Sequence, residues 1–468
     1  MEEKFASYCK GRILMKTEEK TEALAAAKAA LDAGTAYERL KELFDDGVFT
    51  EIDAFVRSKD GYAEVVGGHG TIDGMGVYAF AQNADQSGGA MSQAQAKKIL
   101  KIYDLALKTG EPIVGMYDSA GGRLDEGAEL LASYGSILRY TGQLSGVVPQ
   151  ISVVLGKCCG TQALIAASAD VVIMSEKAAF SLKTDGQESS AEQNAQKGLV
   201  HCTAEDEAQA IAQCRKLISM LPSNNLTAAC IAYDSISAAS DINDRMTAKE
   251  AAFAAADEDS LFELQKDFAS KAATALATIN GTTVGLVSLT GDVLDGKACQ
   301  KAAKLIRFCD AFSIPVVSFV DAEKFACMKG ALKLSSAYAE ATAPKITFIT
   351  GNAYGAVYIA AAGTSAAADM TYAWAQASIS ALEPEAAAVI LWGDDFGGRL
   401  KGSKDPQKDK AALIEEFKDT ELSAMKAAEQ GYVDDIITAS QTREKLVSAL
   451  SMLCNKRVET LPKKHSTI

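Results

Sequence analysis

Histidine is almost missing from this sequence. Only His69, His201 and His465 occur among 468 residues, so a histidine general base is not expected. Any Cys-x-x-Cys pair is missing too, which excludes a zinc ribbon among the ten cysteines; no metal site is expected. The scattered cysteines read instead as reduced, mostly buried thiols. No run of about 18 apolar residues appears, which argues against a membrane span. The opening Met1-Glu-Glu-Lys-Phe-Ala-Ser lacks an apolar signal core, so export is not expected and a cytoplasmic location is. Basic charge is in deficit as well. With 47 Lys and Arg against 61 Asp and Glu the net charge is −14, and nucleic-acid binding is not expected.

Familiar phosphate and hydrolase signatures are absent. Gly156-Lys157-Cys158 lacks the hydroxyl and the spacing of a P-loop. No Gly-x-Gly-x-x-Gly follows a strand-like run, and no Gly-x-Ser-x-Gly elbow occurs.

What is present is an ordinary globular composition, 48% apolar and 23% charged, in a chain long enough for two or three domains. One strand-and-turn unit occurs twice in it. The first copy reads Glu111-Pro-Ile-Val-Gly-Met-Tyr-Asp118, then Val148-Pro-Gln-Ile-Ser-Val-Val-Leu-Gly-Lys-Cys-Cys-Gly160. The second reads Ile314-Pro-Val-Val-Ser-Phe-Val-Asp321, then Ala343-Pro-Lys-Ile-Thr-Phe-Ile-Thr-Gly-Asn-Ala-Tyr-Gly355. In both, six positions separate Pro from Asp and eleven separate the second Pro from Gly.

The apolar runs read as fully buried strands, and Ala-rich helices follow each glycine, at 161–169 and 356–362. Ser92 reads as the N-cap of an amphipathic helix reaching Lys108. These patterns predict an α/β fold. A polar stretch from Leu221 to Glu263, with a loop over 237–245, places a boundary near residue 240. The expected domains are residues 1–240 and 241–468.

A glycine that ends a buried strand and opens a helix exposes backbone amides at the positive end of the helix dipole. Such a turn holds a phosphate or the oxyanion of an enolate. A lone glycine more often serves packing alone, but a duplicated one points to function. Since the phosphate signatures are absent, the oxyanion reading remains. A second constellation is Asp118-Ser-Ala-Gly-Gly-Arg-Leu-Asp-Glu-Gly127. Gly121 and Gly122 let a ligand approach the backbone, and Arg123 either meets an anionic ligand or pairs with Asp125 or Glu126.

That constellation resembles the Asp-Ser-Gly-Gly-Ala-Arg-Ile-x-Glu-Gly motif of the carboxyltransferase subunits of biotin-dependent acyl-CoA carboxylases, the propionyl-CoA carboxylase β type. Gly146-Val-Val-Pro-Gln-Ile, Arg307-Phe-Cys-Asp-Ala-Phe-Ser-Ile-Pro, Ala353-Tyr-Gly-Ala-Val-Tyr, Tyr372-Ala-Trp-Ala and Gly431-Tyr-Val-Asp-Asp-Ile-Ile are similar to further motifs of that family. The resemblance runs from about Glu38 to the C-terminus. It implies two tandem crotonase-like ββα-superhelix domains, with the active site formed between the N-domain of one subunit and the C-domain of another. It also implies a homo-oligomer, a hexamer built as a trimer of dimers.

The substrate implied is a short acyl-CoA, and the cofactor is biotin, carried as carboxybiotin on a partner. Partners would be biotin carboxylase and biotin carboxyl carrier subunits, or membrane decarboxylase pump subunits. In the family, carboxybiotin releases CO2, its ureido anion takes the acyl α-proton, and the enolate attacks the CO2. Carried over, Gly160 and Thr161 would supply amides to the enolate. Gly355 and Ala356, with Val357 adjacent, would serve the ureido oxygen. Gly121, Gly122, Arg123, Cys159, Tyr354, Val357 and Ile359 complete the implied substrate-binding set.

The chain departs from the family's pattern in places. The family's second glycine of each turn is Thr161 or Ala356 here, and Ile359 stands where the family often has Asp. The segment after Phe180 is shortened. The family's Asp-x-Pro-Gly-Phe loop reads Asp321-Ala-Glu-Lys-Phe-Ala-Cys-Met-Lys, with residues deleted after it. Three readings follow: a carboxylase subunit, a decarboxylase subunit acting on a malonyl-type acyl-CoA, and a non-catalytic paralogue that assembles with an active relative.

Overall fold

In the computed structural model, which describes residues 17–31, 34–183, 187–227, 240–401 and 405–458, the repeated apolar runs are adjacent parallel strands. The first sheet comprises β1 (Phe49–Glu51), β2 (Val65–Ile72), β3 (Met75–Gln82), β4 (Ile113–Ser119), β5 (Gln150–Cys159), β6 (Val171–Ser175), β7 (Ala179–Ser181) and β8 (Cys202–Ala204). Its order is β1-β2-β3-β4-β5-β6-β8, with β7 paired to the far end of β5. The second sheet comprises β9 (Phe262–Leu264), β10 (Ala272–Ile279), β11 (Thr282–Leu294), β12 (Val316–Phe325), β13 (Lys345–Tyr354), β14 (Met370–Trp374), β15 (Ser378–Ser380) and β16 (Asp435–Ile437). Its order is β9-β10-β11-β12-β13-β14-β16, with β15 on β13. In each sheet the first three strands pair antiparallel and the rest parallel. The duplication therefore extends beyond the two turns to whole sheets of one topology.

Three local devices recur with it. The β2–β3 hairpin turns on Asp73-Gly74 and the β10–β11 hairpin on Asn280-Gly281, all four residues at positive φ as a type I′ turn requires. Asp45 accepts from the amides of Asp73 and Gly74, both at 3.1 Å, and is paired with Arg215. Asp257 does the same for Asn280 and Gly281, both at 2.8 Å, paired with Arg443. At the start of the central strands, Asp170 accepts from Gln150 N–H at 2.9 Å, and Asp369 from Lys345 N–H at 2.8 Å.

Helices cover the sheets. The relevant ones are α1 (Thr35–Leu43), α2 (Gln93–Thr109), α3 (Ala128–Leu144), α4 (Thr161–Ala167), α5 (Glu207–Met220), α6 (Gly296–Ala311), α7 (Met328–Glu340) and α8 (Gly355–Val357). Ser92 caps α2 as expected, its hydroxyl accepting from Gln95 N–H. The helix after Gly355 covers the expected 356–362, as one α-turn followed by a π-turn over Tyr358–Ala362 closed by Gly363 N–H to Tyr358 O at 2.7 Å, whereas the one after Gly160 ends at Ala167, two residues short of the expected 169. Of the expected loop over 237–245, residues 237–239 lie outside the described residues, and 240–245 carry neither helix nor strand.

One core cluster spans both halves, joining Leu217 and Ile218 of α5 with Leu276, Leu289 and Leu305 of the second half. Polar groups lock the same seam. His201 is buried; its Nδ1 accepts from Val172 N–H at 3.0 Å, and its Nε2 meets Lys304 Nζ at 2.8 Å. Burial first, and the Lys304 charge second, hold His201 well below its usual pKa. Asp170, on the same seam, is pushed up to about 6 by burial.

The two groups act in opposite directions in acid. Asp170 takes up a proton more readily folded, so it adds stability as pH falls through about 6. His201 stays neutral when folded but protonates when unfolded below about pH 6.5, so its contribution is lost as pH falls. His201→Gln, which keeps a neutral acceptor for Val172, should reduce the acid loss by about 1.4 kcal/mol between pH 7.5 and 5.5. Unfolding at the two pH values measures it; an unchanged acid loss would mean His201 is not the group responsible.

Candidate active site

Each repeated Asp and the glycine four residues before each turn glycine form one joint. Asp118 Oδ1 accepts from Lys157 N–H at 3.2 Å, and Asp321 Oδ1 from Asn352 N–H at 2.8 Å. Both aspartates sit where the parallel register slips, between Tyr117 and Ser119 and between Val320 and Ala322. The carboxylates fit because Gly156 and Gly351 lie opposite. A Cβ there would stand 2.0 Å from Asp118 Oδ1 and 2.2 Å from Asp321 Oδ1. Sequence reading recorded the aspartates without assigning them this role. The equal spacing of Pro, Asp and Gly was its only trace.

Beyond the joint, β5 runs to Cys159 beside β7, then turns at Gly160 with φ 74° and ψ −144°. This backbone is open to glycine and strained for other residues. Because the ladder continues one residue, Gly160 N–H donates to Ser181 O at 2.9 Å. The expected pair of donors is thereby corrected: Gly160 shapes the turn, and the first amide of α4 belongs to Thr161. That amide lacks an intrahelical acceptor because it opens the helix. Thr161 is exposed and Cys159 half-buried, its Sγ 4.0 Å from Ala179 O.

The diglycine loop over 120–127 lies beside this turn, since Ser119 pairs with Cys158. Gly121 has φ 126°, and Gly122 packs so closely that a Cβ would meet Leu130 Cδ2 at 2.5 Å. For Arg123 the pairing alternative is the one seen: the side chain is only 10% exposed and its guanidinium binds Asp60, Glu64 and Asp125, which makes it a fastener of the loop. Glu126 instead accepts from Gln93 N–H at 2.7 Å.

At the second turn Gly355 has φ 45°, and a Cβ there would stand 3.0 Å from Ala381 O. Tyr354 is buried, donates to Asn352 Oδ1 at 2.7 Å, and is pushed by burial up to about 12, so it stays a neutral phenol. Ala356 is exposed. Val357 is 0% exposed, its side chain in the shared core, so only its main chain belongs to the turn. Two pockets flank Gly355. One of about 670 Å³ is lined by Glu323, Phe325, Met328, Tyr354 and Ala356. The other, of about 360 Å³, is lined by Tyr358, Ile359, Ile379, Lys426 and Tyr432.

The copies differ most after the joint. Between β4 and α3 stands the loop over 120–127, whereas β12 runs on to Phe325 and only residues 326–327 precede α7. The altered stretch after Asp321 is thus continued strand, with Gly291 opposite Ala322 and Leu294 opposite Phe325. The candidate residues form two groups, one at the carboxyl edge of each sheet.

A family model described as a carboxyl transferase domain matches residues 31–468. The methylmalonyl-CoA decarboxylase subunit alpha of Veillonella parvula is 37% identical over 483 residues, covering 93% of this chain and 92% of that protein. The propionyl-CoA carboxylase carboxyltransferase subunit of Haloferax mediterranei is 33% identical over 489 residues, with 93% of each covered. The crystal structure of transcarboxylase 12S with methylmalonyl-coenzyme A and methylmalonic acid bound matches with a TM-score of 0.88 at 31% identity, covering 97% of this chain and 99% of that one. The expected pair of crotonase-like units is borne out by that match. With the match spanning nearly the whole chain, this protein belongs to the carboxyl transferase family, as a carboxyltransferase of the biotin-dependent kind.

Proposed function

We propose that the chain moves a carboxyl group between biotin and the α-carbon of a short acyl-CoA, using one turn for each of two anions. The observation that carries this reading is the repeated Asp–Gly joint, which positions a glycine turn at the edge of both sheets. In the first half, which we take as residues 1–240, the Thr161 amide and the diglycine loop face the acyl oxygen. An amide fixed before reaction stabilises charge that develops only during it. In the second half, residues 241–468, the Gly355–Ala356 main chain faces the ureido oxygen. Phe325, Met328 and Tyr354 beside Gly355 suit a ring that is apolar except at one end. When bound, biotin supplies the carboxyl carrier and the base. The chain's own titratable groups fit that division, because His201 is occupied in the seam.

We place the complete site between the first half of one subunit and the second half of another, in a hexameric assembly. The equivalent helices α3 and α7 support this by exposing apolar side chains near the turns, Leu131 at 68% and Met328 at 87%. Partners would be a biotin carboxyl carrier and a biotin carboxylase. The cytoplasm suits the described cysteines, which are free thiols. Among the described residues no helix is long and apolar enough to cross a membrane.

The assay is decarboxylation of malonyl-CoA or methylmalonyl-CoA by the purified oligomer with free biotin. Turnover above background is expected. Background rates from a folded assembly would refute the enzymatic reading and favour a non-catalytic paralogue. A second reading, a decarboxylase subunit beside a membrane pump, is favoured by the 37% identity to the Veillonella subunit. Co-purification with an ATP-dependent biotin carboxylase supports the first reading; co-purification with a multi-spanning membrane subunit supports the second.

A further inference from the structure

A chain of buried polar side chains runs beneath the first turn. Gln162, the residue after Thr161, donates through Nε2 to Gln82 Oε1 at 2.5 Å. Gln82 Nε2 donates to Gln95 Oε1 at 3.0 Å, and Gln95 Nε2 to the carbonyls of Glu64 and Gly89 at 2.9 and 3.1 Å. The Ser92 hydroxyl donates to Glu64 Oε2 at 2.5 Å, and Arg123 reaches Glu64 Oε1 at 3.3 Å. Gln82, Gln95, Glu64 and Ser92 are 0% exposed and Gln162 is 1% exposed, so these bonds are shielded from water.

One bond sets the polarity of the chain. Asp118 N–H donates to Gln82 Oε1 at 3.1 Å, which makes that oxygen an acceptor and requires Gln162 to present its amide nitrogen. The chain therefore joins Arg123, in the diglycine loop, to the residue beside Thr161. It also ties in the backbone of Asp118, the aspartate of the joint.

We propose that Gln162 is a positioning residue for the acyl-enolate site, holding the Thr161 amide at a fixed place relative to the diglycine loop. This rests on the carboxyltransferase reading above. Helix α4 is too short to keep its first turn in place by itself. Its side chains at Thr161 and Leu164 face outward, whereas Gln162 reaches inward to a strand and a helix that are themselves fixed. A donor aimed at a charge present only during reaction must be held in advance, since small displacements forfeit its effect.

Two substitutions test the proposal in the full oligomer. Gln162→Met keeps length and volume but removes the donor. Gln162→Glu keeps a donor only when the carboxyl is protonated. The probes are acetyl-CoA, neutral at its acyl oxygen, and S-carboxymethyl-coenzyme A, whose carboxylate mimics the enolate charge.

For Gln162→Met, kcat should fall about tenfold to a hundredfold with KM for the acyl-CoA little changed. Preference for the carboxymethyl compound over acetyl-CoA should fall alongside it, with acetyl-CoA affinity retained. For Gln162→Glu the same loss is expected at pH 8, with recovery relative to the wild type as pH falls toward about 5. A side chain that only packs would give neither the selective loss nor the recovery. Wild-type kcat and preference in both variants would overturn the positioning role alone. A wild-type protein with no preference for the charged compound would overturn the enolate site itself, and the positioning role with it.

Discussion

Replacing Gly160 by valine is expected to lower carboxyl transfer by about 10²–10³, the usual cost of losing an oxyanion donor. Gly160 adopts φ 74° and ψ −144°, which a β-branched residue cannot hold without strain. Relaxing that strain swings the chain between Ser181 O, which the Gly160 amide now binds, and the first turn of α4. The Thr161 amide moves with it. Strain at a single residue costs about 1–3 kcal/mol, which a stable assembly survives. The measurement is therefore twofold: turnover with free biotin, and molecular mass in solution. Thr161→Ala is the control, because it removes a hydroxyl and keeps the main-chain amide. It should retain near-normal turnover. Wild-type rates from Gly160→Val would remove the first turn from the mechanism.

Much of this arrangement was legible in the sequence, and the reason is local. Buried parallel strands are continuous apolar runs, and a chain that turns sharply out of one needs glycine, so 113–117, 151–155, 315–320 and 346–349 announce themselves. The turns at Gly160 and Gly355 were legible for the same reason. What the sequence concealed depends on partners distant along the chain. Arg215 and Arg443 clamp the two hairpins through Asp45 and Asp257, across separations of 170 and 186 residues. Arg123 looked available for a ligand because Asp60 and Glu64, its partners in the fold, lie 63 and 59 residues earlier. Gln82 and Gln162 are 80 residues apart, and glutamines on a strand and a helix carry no pattern that pairs them. The amide of Gly160 was misassigned because pairing with β7 carries the ladder past the apolar run, which ends at residue 155, through Cys159 to Gly160.

Alanine at Gly156 and at Gly351 should each lower turnover by about 10²-fold, but through opposite substrates. A Cβ at either position cannot coexist with the opposing carboxylate, at 2.0 Å from Asp118 Oδ1 or 2.2 Å from Asp321 Oδ1. The aspartate must withdraw, releasing Lys157 N–H or Asn352 N–H and with it the end of the strand that carries the turn. The backbone itself tolerates alanine at both positions, neither being at positive φ, so the damage is confined to the joint. If the two turns serve different anions, Gly156→Ala weakens binding of S-carboxymethyl-coenzyme A, the charged mimic of the enolate, and leaves the KM for biotin alone. Gly351→Ala does the reverse, raising the KM for biotin while calorimetric affinity for S-carboxymethyl-coenzyme A stays at the wild-type value. The extended β12, which leaves only residues 326–327 where the first half has its diglycine loop, makes the second turn more dependent on its joint. Gly351→Ala should therefore be the more damaging of the two in the biotin-dependent assay. Equal loss of affinity for the charged compound in both variants would show that the two turns do not divide the anions between them.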